Sequence, residues 1–189
     1  MTNHSDWNDR RDRRMAEPGA AEAYETMSLA DAKGLETTTH VPDAIPIAHE
    51  ADHRTDTIGT YDDGQFYADI HGAHRGEPSS FPKGETRWYL YVHTFDSSGN
   101  YRTSEIELIK VGGYLDEYRD PALARLAQLV DALPGRAFGD IRIKPFRTTF
   151  DGVVFGLIDE TEERDGQPWF ELYPDCLGFA PPWNGDYST

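Results

Sequence analysis

The chain lacks the features that stabilise or anchor proteins outside the cytoplasm. It has a single cysteine, Cys176, and so cannot form an internal disulfide. It has no apolar run near the ~20 residues that cross a bilayer. No basic stretch followed by an apolar segment marks a secretory signal. These absences predict a cytoplasmic protein that neither spans a membrane nor depends on disulfides.

Positive charge is also scarce, with 18 Lys and Arg residues against 34 Asp and Glu residues and a net charge of −16. Such a field repels phosphate backbones, and no basic stripe offsets it. Nucleic acid is therefore excluded as a partner. The same field favours a protein partner with a basic surface, although solubility alone is a sufficient reason for the charge.

The sequence lacks the common catalytic signatures. It has no G-x-S-x-G, no P-loop and no dinucleotide fingerprint. Cys176 has no nearby histidine in the sequence to activate it, which favours a small buried cysteine over a nucleophile. We therefore expect a non-enzymatic protein with no cofactor.

The N-terminal region differs in composition from the rest. Residues 1–40 contain no Val or Ile and include the mixed-charge run Asp9 to Arg14. Such a segment buries too little apolar surface to offset its ordering entropy. The sequence predicts a disordered mixed-charge tail over residues 1–40 and a single folded domain over residues 41–189.

Residues 41–189 carry strand and helix patterns. Alternating apolar residues predict a strand over Gln65 to His71, and two β-prone runs around Asp96 to Asn100 predict a hairpin. After Asp120-Pro121, apolar residues recur at helical spacing, which predicts an amphipathic helix over residues 121–133 with Asp120 as its cap. Three further strands are predicted: Phe138 to Arg147, Val153 to Asp159 and Pro168 to Tyr173. The expected fold is α+β, with a mostly antiparallel sheet of about six strands packed by one face on the helix.

The predicted hairpin has one apolar and one polar face. If Phe95 lies opposite Tyr101, then Tyr91 faces Glu105 and Tyr89 faces Glu107. With the strand before it, this gives one surface of tyrosines, histidines and carboxylates: Tyr67, Asp69, His71, Tyr89, Tyr91, His93, Glu105 and Glu107. Such a surface suits a basic protein partner, but antiparallel sheets also commonly leave one face in water.

Residues 49–53 offer a different function. His49, Glu50 and His53 match the H-E-x-x-H pattern of zinc hydrolases, in which two imidazoles one helical turn apart bind Zn²⁺ and the glutamate acts as base. The pattern requires a helix, whereas Pro42 and Pro46 precede it and no apolar stripe accompanies it. A surface turn is the favoured interpretation, and a zinc-dependent hydrolase is the alternative.

Several segments also carry a family resemblance. They are residues 45–50 (IPIAHE), 56–68 (DTIGTYDDGQFYA), 87–95 (RWYLYVHTF), 133–146 (LPGRAFGDIRIKPF), 151–157 (DGVVFGL) and 171–189 (ELYPDCLGFAPPWNGDYST). Together they resemble a group of uncharacterised bacterial proteins, some of which carry the name formate hydrogenlyase regulatory protein. The resemblance covers about residues 41–189 and implies a regulatory role without assigning catalytic residues. The chain has no readable helix-turn-helix and the wrong charge for DNA, so regulation by contact with another protein fits better.

Overall fold

A computed structural model describes residues 40–78 and 84–189, and within them the chain forms eleven strands and one α-helix. The predicted tail, residues 1–40, lies outside the described residues except for its last residue. The strands are β1 Ile45–Ile47, β2 Ile58–Tyr61, β3 Gly64–Ala73, β4 Arg87–Phe95, β5 Tyr101–Val111, β6 Ala137–Phe138, β7 Ile141–Ile143, β8 Phe146–Phe150, β9 Val153–Asp159, β10 Phe170–Tyr173 and β11 Leu177–Phe179. The helix is α1, Arg119–Asp131, and single 3-10 turns cover Asp116–Tyr118 and Glu162–Arg164.

The strands form three antiparallel sheets. The central sheet has the order β5-β4-β3-β2-β6, the second sheet has the order β11-β10-β9-β8, and β1 pairs with β7. The α+β class and the antiparallel pairing are confirmed, but the prediction of one six-stranded sheet is wrong. The predicted strand Phe138 to Arg147 is interrupted at residues 139–140 and 144–145, and its three pieces join three different sheets.

Helix α1 covers one face of the central sheet, as predicted. Its buried residues, Ala122, Leu126 and Val130, recur every four positions, and Leu126 and Val130 pack on β3 and β4 residues that include Phe66 and Leu90. The helix begins two residues earlier than predicted because the turn Asp116–Tyr118 leads directly into it. Asp120 therefore lies inside the first helical turn rather than at the cap.

No helix in residues 40–78 or 84–189 combines the length and the apolar composition needed to cross a membrane.

The opposite face of the central sheet is buried as well. Tyr67, Tyr89 and Tyr91 have no solvent exposure and belong to one cluster with second-sheet residues such as Phe155. The Phe155 ring meets the Tyr89 and Tyr91 rings edge-on, at centroid distances of 5.6 and 5.2 Å. Tyrosine suits positions 89 and 91 because each ring fills the core while its hydroxyl donates to a carboxylate, that of Asp151 or Asp175. The central sheet is thus enclosed by the helix on one side and by the second sheet on the other.

The register of the β4–β5 hairpin differs from the predicted one. Phe95 does pair with Tyr101, but Thr94 pairs with Thr103, which leaves Arg102 as the extra residue of a β-bulge. Beyond the bulge, Tyr91 pairs with Ile106 instead of Glu105. The predicted pairing is therefore wrong by one residue, and Glu105 and Glu107 lie on the helix side of the sheet, within ion-pair distance of Arg125.

Candidate functional site

A cleft of about 1460 Å³ opens beside the C-terminal end of β3 and the second sheet. We call it the acidic cleft. Its walls come from the end of β3 and the residues after it, from β8 and β9, from the β9–β10 connection and from the β10–β11 turn. Its charged and potentially reactive residues are His71, His74, Arg75, Glu77, Arg147, Asp159, Glu160, Glu162, Glu163, Arg164, Glu171, Tyr173 and Cys176.

Negative charge dominates this cleft because six carboxyl side chains line it against three guanidinium groups, all of them paired. Arg147 binds Glu77 at 2.5 Å, Arg164 binds Glu171 at 3.4 Å, and Arg75 binds Asp151. Glu162 and Glu163 are exposed, and neither forms an ion pair within the part of the chain that the structure describes. Burial raises the pKa of nearby Glu160, and the charges of Glu171 and Glu163 add to that rise.

A group of two carboxylates and one imidazole lies where β3 meets the β10–β11 turn. Asp69 and His71 are two residues apart on β3 and so point to the same face of the sheet. Asp175 lies in the turn after β10, and one ligand atom from each of the three residues lies within 4.8 Å of the others. We call this group the Asp–His–Asp cluster. His71 also lines the acidic cleft, which gives the cluster an outlet to solvent.

Hydrogen bonds hold Asp175 in place. The Tyr91 hydroxyl donates to its Oδ1 at 2.5 Å, and His71 Nδ1 lies 3.5 Å from the same oxygen. Arg54 Nη1 donates to the Asp175 main-chain carbonyl at 2.6 Å, which brings a positive charge near the cluster. Within the described residues, Asp175 Oδ2 and the Tyr67 hydroxyl are buried and have no hydrogen-bond partner.

Burial changes the proton affinities of this region. It raises the pKa of Asp69 well above its usual value, and the neighbouring Asp175 carboxylate adds to the rise. It lowers the pKa of His71, although the Asp175 charge acts in the opposite direction. Burial also raises the pKa of Tyr67 and Tyr91, whose phenols are protonated near neutral pH even without that shift. The cluster therefore combines close carboxyl groups with a neutral imidazole.

Of the eight residues predicted to share one polar surface, six do lie on one face of the central sheet, with Tyr67, Asp69 and His71 opposite His93, Tyr91 and Tyr89, but the second sheet covers that face. Tyr67, Tyr89, Tyr91 and His93 are fully buried between the sheets, where no partner can touch them in this arrangement. Asp69 and His71 are partly buried in the Asp–His–Asp cluster. Glu105 and Glu107 lie on the opposite face of the sheet and bind Arg125, with 2.6 Å between Glu107 Oε1 and Arg125 Nη2.

The turn after β1 contains the H-E-x-x-H residues. Residues 48–57 form turns and irregular backbone, not a helix. His49 Nε2 lies 3.1 Å from the Asp56 carbonyl, and His53 Nδ1 lies 2.9 Å from the Asp52 carbonyl. The side chains of Glu50 and His53 approach to 3.9 Å. This backbone does not hold the two imidazoles one helical turn apart, so the geometry of the zinc-hydrolase alternative is missing.

Sequence reasoning found two members of the Asp–His–Asp cluster and missed Asp175. Asp69 and His71 were linked by their alternation along a strand, whereas Asp175 follows them by more than 100 positions and has no local pattern around it. Its neighbour Cys176 was expected to be buried, and that expectation is wrong. Cys176 is exposed at the acidic cleft and has a positive φ of 54°.

Comparisons of the chain with protein-family models, with curated proteins and with solved structures found no match in any of the three. The regulatory role implied by the sequence resemblance therefore stays a prediction, and function is argued from the geometry of the cleft and the cluster.

Proposed function

We propose that the protein is a cytoplasmic, non-enzymatic regulator that acts by contact with another protein and binds a basic segment of that partner in the acidic cleft. The observation that carries this proposal is the charge of the cleft wall. Its three arginines are paired with carboxylates, while Glu162 and Glu163 are exposed on the β9–β10 connection and form no ion pair within the described residues, Arg164 beside them being paired with Glu171.

Charge complementarity of this kind favours lysine- and arginine-rich partners. Carboxylates along a concave surface raise the local concentration of cations and speed association with an oppositely charged protein. An inhibitor that neutralises a basic partner is one concrete form of such a regulator. Binding of this kind weakens as ionic strength rises because salt screens exposed charges.

The chemistry of Cys176 supports a binding role over covalent catalysis. Although the residue is exposed overall, its sulfur is partly buried against the Pro174 carbonyl, and this partial desolvation raises the pKa of the thiol, with the charges of Glu171 and Asp175 raising it further. Since the thiolate is the nucleophile, a raised pKa lowers the reactive fraction of the thiol near neutral pH.

The test uses the full chain and a fluorescent peptide of alternating lysine and alanine. Fluorescence anisotropy at low and moderate salt gives its affinity for the wild type, for Glu162→Lys/Glu163→Lys in the cleft, and for Glu117→Lys/Asp120→Lys as the control. Glu117 and Asp120 are exposed near the start of α1, so both double variants change the net charge equally. We expect the cleft variant to bind at least ~10-fold more weakly and the control to stay close to the wild type at moderate salt.

Equal weakening in both double variants would show that net charge alone attracts the peptide, and the proposed cleft would be wrong. Failure of the wild type to bind would likewise contradict it.

A further inference from the structure

We infer that Asp69, His71 and Asp175 bind one divalent transition-metal cation at the inner end of the acidic cleft. This site goes beyond the proposed function and does not depend on it, since a basic peptide and a metal ion would contact different residues. The argument uses the position of the three side chains, the unpartnered polar atoms beside them and the chemistry of their ligand atoms.

The three side chains are close enough to share a cation. Their ligand atoms all lie within 4.8 Å of one another. In a four-coordinate site with bonds of about 2.1 Å, neighbouring ligand atoms lie roughly 3.4 Å apart. Small side-chain rotations therefore bring the present arrangement to bonding distance. The i, i+2 spacing of Asp69 and His71 on β3 fixes two of the ligands on a rigid strand.

Unpartnered polar atoms point to the same place. Asp175 is 1% exposed and its Oδ2 has no hydrogen-bond partner within residues 40–78 and 84–189. The fully buried Tyr67 hydroxyl makes no hydrogen bond of ordinary geometry in the same residues, but it lies close to Asp175 and Asp69, and their charges and a side-chain interaction with Asp175 add to the effect of burial in raising its pKa. Buried polar groups in folded proteins almost always have a partner, and each exception calls for an explanation. A cation bound to Asp175 Oδ2 explains the first, and a carboxylate oxygen of Asp69 or Asp175 would accept from Tyr67.

Electrostatics also favour a cation at this position. Two carboxyl groups share a largely buried space with one nearby guanidinium, that of Arg54, whose hydrogen bond goes to a main-chain carbonyl. A divalent ion would neutralise both carboxylates at once. The wall of the acidic cleft attracts cations, and His71 connects the cluster to that cleft.

The ligand set selects the class of ion. Carboxylates accept most divalent cations, whereas an imidazole ligand favours Zn²⁺, Fe²⁺ and related transition metals. Ca²⁺ takes six to eight oxygen ligands, which is more than this cluster offers. We therefore expect Zn²⁺ to bind and Ca²⁺ to bind weakly or not at all.

The experiment begins with the full chain freed of metal by a chelator and dialysed. Calorimetric titration with Zn²⁺ and elemental analysis are expected to give one tightly bound ion per chain, and titration with Ca²⁺ is expected to give no binding. His71→Ala and Asp175→Asn should each weaken Zn²⁺ binding at least ~10-fold, since loss of a ligand costs no less than loss of a residue that only orients one. The matched control is His49→Ala/His53→Ala, which removes two imidazoles outside the cluster and should leave affinity within about twofold.

A second measurement needs no variant. Long-range ¹H–¹⁵N spectra of the wild-type imidazoles should show the His71 resonances moving with Zn²⁺ while those of His49 and His53 stay fixed. Absence of stoichiometric Zn²⁺ from the wild type would overturn the inference. So would Zn²⁺ binding that survives in His71→Ala and Asp175→Asn, or that disappears in the His49→Ala/His53→Ala control.

Discussion

His93 is a fully buried histidine in a largely aromatic environment. Its Nδ1 lies 2.6 Å from Ser104 Oγ, and its ring meets Phe146 and Tyr91 at centroid distances of 5.2 and 5.1 Å. Its Nε2 has no hydrogen-bond partner within the described residues. Burial lowers the pKa of His93 to about 4, and it outweighs the opposing charge of Asp175. The folded protein therefore holds this imidazole in its neutral form.

This burial makes stability depend on pH. As the pH falls, the His93 imidazole of the unfolded chain is protonated near pH 6.5, whereas that of the folded chain is protonated only near pH 4. The free energy of unfolding is highest above pH 6.5, falls as the pH drops from 6.5 to about 4, and receives no further change from His93 below that. Between pH 7.5 and pH 5, urea unfolding should reveal a loss of about 2 kcal/mol from this residue.

The contribution is isolated by comparing variants. His93→Gln should remove most of this pH-dependent loss, whatever its effect on absolute stability, while the surface variant His49→Gln should retain it. If the free energy of unfolding of His93→Gln fell with pH as steeply as that of the wild type, other groups would be the cause of the effect.

Asp151 joins the two large sheets at the tip of the β8–β9 hairpin. It accepts hydrogen bonds from Arg75, Arg87 and the Tyr89 hydroxyl, the last at 3.0 Å. The hydrogen bond from Arg75 makes the largest contribution to a lowered pKa of this carboxyl. Three donors from β4 and the residues after β3 thus meet one carboxylate of the second sheet.

We expect Asp151→Asn to lower the Tm because the amide keeps the size and the backbone preference of the side chain but loses its charge. The matched control is Asp165→Asn, which has a similar positive φ, 56° against 50°, and lies exposed in another turn. Circular dichroism melts should show a clear decrease for Asp151→Asn and little change for Asp165→Asn. Equal shifts would mean that the hydrogen bonds to Asp151 contribute no net stability.

At the scale of elements, the hairpin shows which information is local. Its turn is readable in the sequence because Asp96 accepts from the Ser98 and Asn100 main-chain amides, and Gly99 supplies a φ of 81°. The bulge at Arg102 is not readable, because the aromatic pattern of β4 buries well in either register once both faces of the sheet are covered. The two strands and their pairing in a hairpin were therefore predictable, whereas the register beyond the bulge was not.

Strand β2 places a glycine against the neighbouring strand. A Cβ at Gly59 would lie 2.0 Å from the Ala137 carbonyl oxygen of β6, a contact that only backbone movement can relieve. Gly59→Ala should destabilise the protein by about 1–3 kcal/mol. Gly139→Ala is the control, since a Cβ there meets nothing within 4 Å. The urea unfolding midpoints of the two variants test this prediction. Similar midpoints would mean that the backbone of β6 moves aside without loss of stability.

At the scale of the whole molecule, the sequence could predict the class but not the layers. Alternation and helical spacing are properties of single segments, so the α+β class, the hairpin and the helix followed from them. The second sheet packs on the face of the central sheet that carries Tyr89 and Tyr91. This packing brings together residues that are distant in the chain, such as Tyr91 and Asp175, which are separated by 84 positions. The candidate site depends on that packing, so only its β3 half could be predicted.

Enclosure of the central sheet on both sides has a genetic consequence. In a sheet with one solvent-exposed face, every second residue of a strand can be replaced by a polar residue. In β4, five consecutive residues, Tyr89 to His93, are buried, alternately against the second sheet and against the helix. Selection for folding therefore acts on an unbroken block of codons there, and viable substitutions should be rare at each of them.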